Sequence, residues 1–409
     1  WFEKVEKVCE RAEKKKLEVW LYDEFPYPSG AGGGEVVLRH PEAVHTELDV
    51  KIWETEGGGK TSFDLGWEVI LSVVAVPADE YGRNDWKKKQ DITKCVGIVP
   101  KEEFCQNIGL TKYNKKRYFT GKPTHRLCCT LPEGKWRVYA FNQKTIDRFK
   151  FFGKYIDPCS KEAVHEFISI THEEYYKRLG GKFGNVIKGI FSDEVGMPGK
   201  IPWSSELEGY FYSRKKYSLI NELPALADVE YPDSGKIRYD YFTVLNDLLV
   251  ERFYKTVSKW CGEKHLLYAT EVPSFRMGTQ KYSDIVGGDC CHEKAGTPMN
   301  EVLERSFCHY RSDPKSIASL ARQLDKKYAM VESFHSVGWT MTLQDAKWML
   351  DFLAVCGINF FNFHAFFYTV DGARKHDAPP SQFYQNSYWK YYRKLADYAA
   401  RISVINSET

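Results

Sequence analysis

Four stretches of this sequence end a short apolar run on a carboxylate. Leu17–Tyr22 runs into Asp23 and Glu24, and Val186–Phe191 into Ser192, Asp193 and Glu194. Leu266–Thr270 stops at Glu271, and Tyr328–Val331 at Glu332. Taken singly, an acid after a strand is a helix cap or a surface ion pair. Four acidic strand ends matter more if the strands lie side by side, because the side chains then converge on one pocket. Like charges in a shared pocket do not all ionise; one pKa rises while another stays low. Such a split keeps an acid and a base ready at one pH, which is what cleavage of a glycosidic bond requires.

Aromatic and polar residues crowd the same positions. Trp20, Tyr22, Phe25 and Tyr27 surround the first acidic end. Phe334, His335 and Trp339 follow Glu332. Asn362, Phe363, His364, Phe366, Phe367 and Tyr368 lie on or after a last strand. Aromatic faces suit the C–H faces of sugars, and Asn and His suit their hydroxyls. Phe360, Phe361, Phe363 and Phe366 read more simply as core, whereas Trp339, beside Gly338 in a loop, reads as part of the site.

Other motifs do not hold. Gly57-Gly58-Gly59-Lys60-Thr61 has Glu54 where a phosphate loop needs its first glycine, and it sits among β turns. His292-Glu293 lacks the second histidine of a zinc protease helix. Ser29-Gly30 lacks the residues that precede a nucleophile elbow. Lys87–Lys89 is a single short basic run.

The elements that must position the acids alternate. Residues 1–16, Ser160–Leu179, Tyr239–Cys261, Pro314–Lys326, Leu343–Cys356 and Ser387–Ile402 have helical spacing, with Ser160 as an N-cap and Gly180 near a C-terminus. The strands named above fall between them, and Ile358–Phe363 adds a strand ending at His364. Polar residues where strands stop are the signature of an α/β protein of the (β/α)8 TIM-type barrel class, with its site at the carboxyl end of the strands. A doubly wound sheet is the competitor, and the glycine fingerprint it would carry after the first strand is missing. Between 36 and 134 the texture changes to short β runs (Thr46–Trp53, Trp67–Val76, Cys95–Val99, His125–Leu131) separated by Gly, Pro and Lys-rich turns. The expectation is a barrel of 1–35 and 135–409, interrupted in an early βα loop by an antiparallel β-rich module over 36–134. Trp136–Phe141 either closes that module or returns to the main sheet.

Composition excludes several classes. The 409 residues carry 58 Lys+Arg against 55 Asp+Glu, a net charge of +3, with 43% hydrophobic residues. That balance offers no concentrated basic footprint for nucleic acid. No apolar run is long enough to span a membrane. The 11 cysteines are an odd number without C-x-x-C spacing, and Cys128/Cys129 and Cys290/Cys291 are adjacent. They read as buried thiols, which leans towards a reducing compartment.

The ordered motifs resemble those of α-L-rhamnosidase-like glycoside hydrolases, family 106 and its relatives. The carriers are Leu21-Tyr22-Asp23-Glu24-Phe25-Pro26-Tyr27-Pro28-Ser29-Gly30 with Gly33-Gly34, Gly189-Ile190-Phe191-Ser192-Asp193-Glu194, and Val331-Glu332-Ser333-Phe334 with Gly338-Trp339. Gly357-Ile358-Asn359 to His364, Gly372–Lys375 and Pro379-Pro380-Ser381 follow in family order. The resemblance implies an inverting mechanism with Glu194 as acid and Glu332 as base, acting on an oligosaccharide or glycoside. It also implies calcium in some members, without assignable ligands here, and export in many. It places a first barrel strand upstream of Trp1 and auxiliary β domains in longer members. The segment Asp23–Tyr27 lacks the Trp common before that proline, which bears on sugar choice.

Asp23, Glu24, Asp193, Glu271, Trp339 and His364 are then expected to position substrate. An inverting pair needs roughly 6.5–9.5 Å between its carboxyl groups to admit water. Two alternatives stand beside this reading. One is a barrel glycosidase of other specificity, such as a hexuronidase or galactosidase, with Arg276 or Arg374 facing an acidic sugar. The other is a non-catalytic carbohydrate-binding barrel.

Overall fold

The apolar runs that end on acids form strands, and the strands lie side by side. A computed structural model of the chain describes residues 1–106, 118–148, 153–272, 277–290, 298, 300–301, 313–335, 337–376 and 382–408. Strands β1 (Val19–Tyr22), β2 (Ile187–Asp193), β3 (Leu267–Glu271), β4 (Ile285–Asp289), β5 (Tyr328–Ser333) and β6 (Phe360–Phe363) make one sheet. Every neighbouring pair is parallel, and spatial order follows chain order. Each step therefore needs a crossover, the arrangement of successive βα units.

The sheet is curled. Six strands at about 4.8 Å spacing would hold the outer pair about 24 Å apart if flat. Instead Trp20 on β1 and Phe360 on β6 meet edge-on, with ring centroids 6.0 Å apart. Their rings close over Phe191, Ala269, Ile285 and Met330, which form the inner core together with Tyr328. The result is a curled, half-barrel parallel sheet in a mixed α/β fold. On the outer face Val286, Ala329 and Val331 pack on the helices Pro314–Gln323, Leu343–Cys356 and Tyr392–Glu408.

Local sequence accounts for the helix ends. Ser160 Oγ accepts from Ala163 N at 3.3 Å, as an N-cap should. Thr342 and Asp345 form a reciprocal capping box, and Gly357 ends that helix with φ 98°. The expected Ser160–Leu179 helix is two, Lys161–Ile170 and His172–Leu179, broken at Thr171. The last helix starts at Tyr392 rather than Ser387, because residues 389–391 form a 3₁₀ turn. The strand Ile285–Asp289 was not anticipated at all.

Contacts gather the chain into two units. One holds Trp1–Ala43, Pro158–Gly196 and Leu249–Thr409; the other holds Val44–Asp157 and Met197–Leu248. Within the second unit, Val44–Asp157 is built from antiparallel sheets and Met197–Leu248 is largely helical. Lys135–Thr145 pairs with both Thr46–Glu56 and Val69–Pro77, so Trp136–Phe141 closes the β module. Lys60–Gly66, Tyr118–Thr130 and Val96–Gln106 form a second, three-stranded sheet. Leu65, Val73, Leu127, Trp136 and Val138 fill the space between them. Gly57–Gly59 is the turn joining two strands of this module. Among the described residues eight cysteines are free and six of those are buried. No described helix is long and apolar enough to cross a membrane.

Candidate active site

Alternation decides which acids face the inside of the curl. Side chains two apart on a strand share a face. Trp20 points inward, and so do Tyr22 and Glu24 after it. Phe191, Ala269, Ile285, Met330 and Phe360 point inward, so Asp193, Glu271, Asp289, Glu332 and Asn362 follow them. The strand register brings these into rows: Glu271 pairs with Asp193, Asp289 with Glu332, and Glu332 with Asn362. The carboxylates thus stand together at the carboxyl edge of the sheet.

Glu194 departs from the alternation. Its φ is 44°, the left-handed region, which costs an ordinary side chain about 1–2 kcal/mol. Its backbone N–H donates to Glu271 O at 3.0 Å, fixing the turn. The consequence is that carboxylate oxygens of Glu194, Glu271 and Asp289 all lie within 4.8 Å of one another. Tyr27 Oη donates a short hydrogen bond to Glu194 Oε2, and Tyr22 Oη donates to Asp193 Oδ2 at 2.7 Å. Asn362 Nδ2 approaches Glu332 Oε2 at 3.4 Å.

Asp23 faces the other way. Its carboxylate accepts from Ser29 and from Ser192 Oγ at 2.7 Å, and lies 3.1 Å from His172 Nε2. Ser29 Oγ in turn accepts from Asp193 N at 2.8 Å, and Ser29 N donates to Asp193 O at 3.0 Å. Asp23 therefore locks the Phe25–Gly34 loop to the end of β2.

Burial and crowding hold protons on the inner acids. Burial pushes the Glu24 carboxyl up to about 9, with the hydrogen-bonded, negatively charged Asp193 adding to the effect. Glu332 is pushed up to about 9 by burial and then by Asp193, Asp289 and Glu24. Glu271, fully enclosed, is raised well above the usual range by burial and by Asp289. Enclosure beside Asp193 likewise raises the Tyr22 hydroxyl, keeping it a donor.

The trio of Glu194, Glu271 and Asp289 also fits a hard divalent cation. Glu271 Oε2 is buried without a hydrogen-bond partner, and all three donors are carboxylate oxygens, the set preferred by Ca²⁺ and Mg²⁺.

Of the residues expected from sequence, the structure brings Glu24, Asp193, Glu194, Glu271 and Glu332 together. His364 continues the face of Asn362 one step past β6, its ring against His335 at 4.5 Å. Trp339 stands in an aromatic group with Phe383, at 6.4 Å, and with Phe366 and Trp389 beyond it. Phe366, read as core, is 53% exposed in that group. Arg276, His292, Glu293, Cys291 and Pro379–Ser381 lie outside the described residues, as does the side chain of Arg374. Asp289 was missed. Its signal was present: Ile285, Gly287 and Asp289 alternate like the other strands, but Gly287-Gly288 reads as a turn. The glycines are there because a Cβ on Gly287 would meet Met330 and the Thr270 carbonyl, and one on Gly288 would meet Ile317.

Residues 126–405 match the family model described as alpha-L-rhamnosidase, glycoside hydrolase 106. The chain belongs to this family. Among solved structures it is similar to the rhamnosidase from Novosphingobium sp. PP1Y, with a TM-score of 0.59 and 15% identity. That similarity covers 98% of this chain and 53% of the other, so this chain spans about half the length of that rhamnosidase. No curated protein sequence matches it. As a member of the alpha-L-rhamnosidase family the chain carries a glycoside hydrolase fold; Asp193, Glu194, Glu271, Asp289 and Glu332 fall within the matched region, and Glu24 lies before it.

Proposed function

We propose that this chain hydrolyses a terminal α-L-rhamnosyl bond of an oligosaccharide or glycoside, with inversion, and that its six strands belong to a (β/α)8 barrel. The observation that carries the reading is the convergence of Glu24, Asp193, Glu194, Glu271, Asp289 and Glu332 on one edge, where burial and crowding raise the carboxyls of Glu24, Glu271 and Glu332. Glu194 is the general acid, giving its proton to the departing glycosidic oxygen. Glu332 is the base: burial and its acidic neighbours hold its carboxyl near 9, so it takes a proton from water on the opposite face of the ring in its ionised form, and turnover rises with pH towards that value. Asp23 keeps the Phe25–Gly34 loop in place, while Glu24, Asp193, Glu271, Trp339 and His364 position the sugar. A divalent cation, calcium foremost, would be held by Glu271 and Asp289, joined by Glu194 where Glu194 is not the acid. When bound it supplies positive charge against the crowded carboxylates and a ligand site for sugar hydroxyls.

A second assignment of the acid has a specific observation behind it. Glu24 is held protonated at neutral pH, and Glu194 sits in the carboxylate trio. In that assignment Glu24 is the acid and Glu194 a cation ligand.

Leaving-group dependence separates the two. A variant lacking the acid keeps turnover on a 2,4-dinitrophenyl α-L-rhamnoside, whose leaving group needs no proton, and loses it on the methyl glycoside. A variant lacking the base loses both. Glu194→Gln, Glu24→Gln and Glu332→Gln are the three proteins to compare. Proton NMR of the first-formed sugar reads the anomer directly. Retention of configuration overturns the inverting mechanism, and turnover on another aryl glycoside alone overturns the sugar.

A further inference from the structure

The β module has a cleft of its own. Lys60–Gly66 and Val69–Pro77 are consecutive strands in different sheets, so Trp67 and Glu68 are the crossover between them. Gly66, at φ 83°, makes the turn that an ordinary residue would resist. Beside this crossover lies a cleft of about 430 Å³ lined by Trp67, Glu68, Val69, Ile70, Thr93, Val96 and His125. That volume is within the range of small-molecule sites.

The lining combines a fixed aromatic with a few polar atoms. Trp67 is 58% exposed, yet its ring is stacked on His125 at 4.8 Å and 7°. An indole that open is normally free to change rotamer; here the imidazole sets its plane in advance. His125 Nδ1 is buried and has no hydrogen-bond partner. Glu68 is anchored through Oε2, which accepts from Asn142 Nδ2 at 3.1 Å and Lys51 Nζ at 3.4 Å. Val69, Ile70 and Val96 make the remaining wall apolar.

We propose that this cleft is a second sugar-binding site, separate from the carboxylate site, and that it takes a 6-deoxyhexopyranose unit. The ring's C–H face lies on Trp67, its C6 methyl meets the valine and isoleucine wall, and its hydroxyls bond to Glu68. A hexose would bring a C6 hydroxyl to that apolar wall and leave it unpaired. The choice of a deoxysugar rests on the rhamnosidase reading as well as on the wall.

The test is calorimetric titration of the whole chain with L-rhamnose, comparing wild type, Trp67→Ala and Trp67→Phe. Turnover of an aryl α-L-rhamnoside is measured on the same proteins. The expected result is two binding events in wild type, with one weakened about tenfold or more in Trp67→Ala, the order seen when a central aromatic contact is removed. Trp67→Phe keeps part of that affinity, and turnover is unchanged in both. Identical titrations of wild type and Trp67→Ala overturn the site, as does the absence of any binding event in wild type. Absent turnover with Trp67-dependent binding would sink the rhamnosidase reading and leave the site standing.

Discussion

Trp20 and Phe360 stand on the two outermost strands of a six-stranded sheet, and their rings touch at 6.0 Å. This contact joins the edges of the curl beneath the acids. Glu24 follows Trp20 by four residues, and Asn362 follows Phe360 by two. The rings therefore set how closely the first and last inner-facing polar groups approach. Gly189 belongs to the same contact, since a Cβ there would collide with the Trp20 ring.

Trp20→Ala is expected to destabilise the fold by about 3–5 kcal/mol, the range for deleting a large packed aromatic. Gly189→Ala is expected to destabilise through overpacking, by about 1–3 kcal/mol. Urea unfolding of both variants checks this. A cost under about 1 kcal/mol for Trp20→Ala would mean that the edges are not held by this contact.

Asp23 is bonded to Ser29 of the Phe25–Gly34 loop, to Ser192 and to His172. Asp23→Ala leaves Ser192, Ser29 and His172 without their buried partner, an expected loss of about 2–4 kcal/mol in stability. Asp23→Asn keeps the shape and one acceptor and is milder. If Asp23 contacted substrate, Asp23→Asn would raise KM at unchanged melting temperature, and that pair of measurements separates the roles.

Stability should fall with rising pH. The folded carboxyls of Glu24 and Glu332 lie near 9 against an ordinary 4.5. A raised pKa means that the native state binds the extra proton. The stabilisation is fully present below 4.5 and is lost as pH climbs towards 9. Each group adds a slope of at most about 1.4 kcal/mol per pH unit across that window. Melting curves in chelator between pH 5 and pH 9 test this, and Glu24→Gln or Glu332→Gln should flatten the decline.

Calcium should act in the opposite sense. A cation among Glu194, Glu271 and Asp289 competes with protons, so added Ca²⁺ raises the melting temperature more at pH 8 than at pH 5. Glu271→Gln should remove most of that increment. An equal rise in Glu271→Gln would place the ion elsewhere.

Five of the six strands, and the acids that end four of them, were legible in the sequence, since short apolar runs closing on Glu271 or Glu332 are local patterns. Facing could also have been read, because Trp20, Tyr22 and Glu24 share a parity that Asp23 does not. Other features were out of reach because they depend on distant partners. β4 hides behind Gly287 and Gly288, whose small size answers Met330 and Ile317. Lys135–Thr145 reads as a strand, but only its pairing with Thr46–Glu56 assigns it to the β module. The backbone of Glu194 is fixed by the Glu271 carbonyl, and no propensity announces it.

That backbone has a consequence for engineering. Glycine at position 194 would relax the left-handed turn, and a programme that ranks substitutions by thermal tolerance would favour it. The hardiest variants from such a programme would be those that had discarded an acid from the carboxylate trio. Thermostabilisation of this chain needs position 194 withheld from the library.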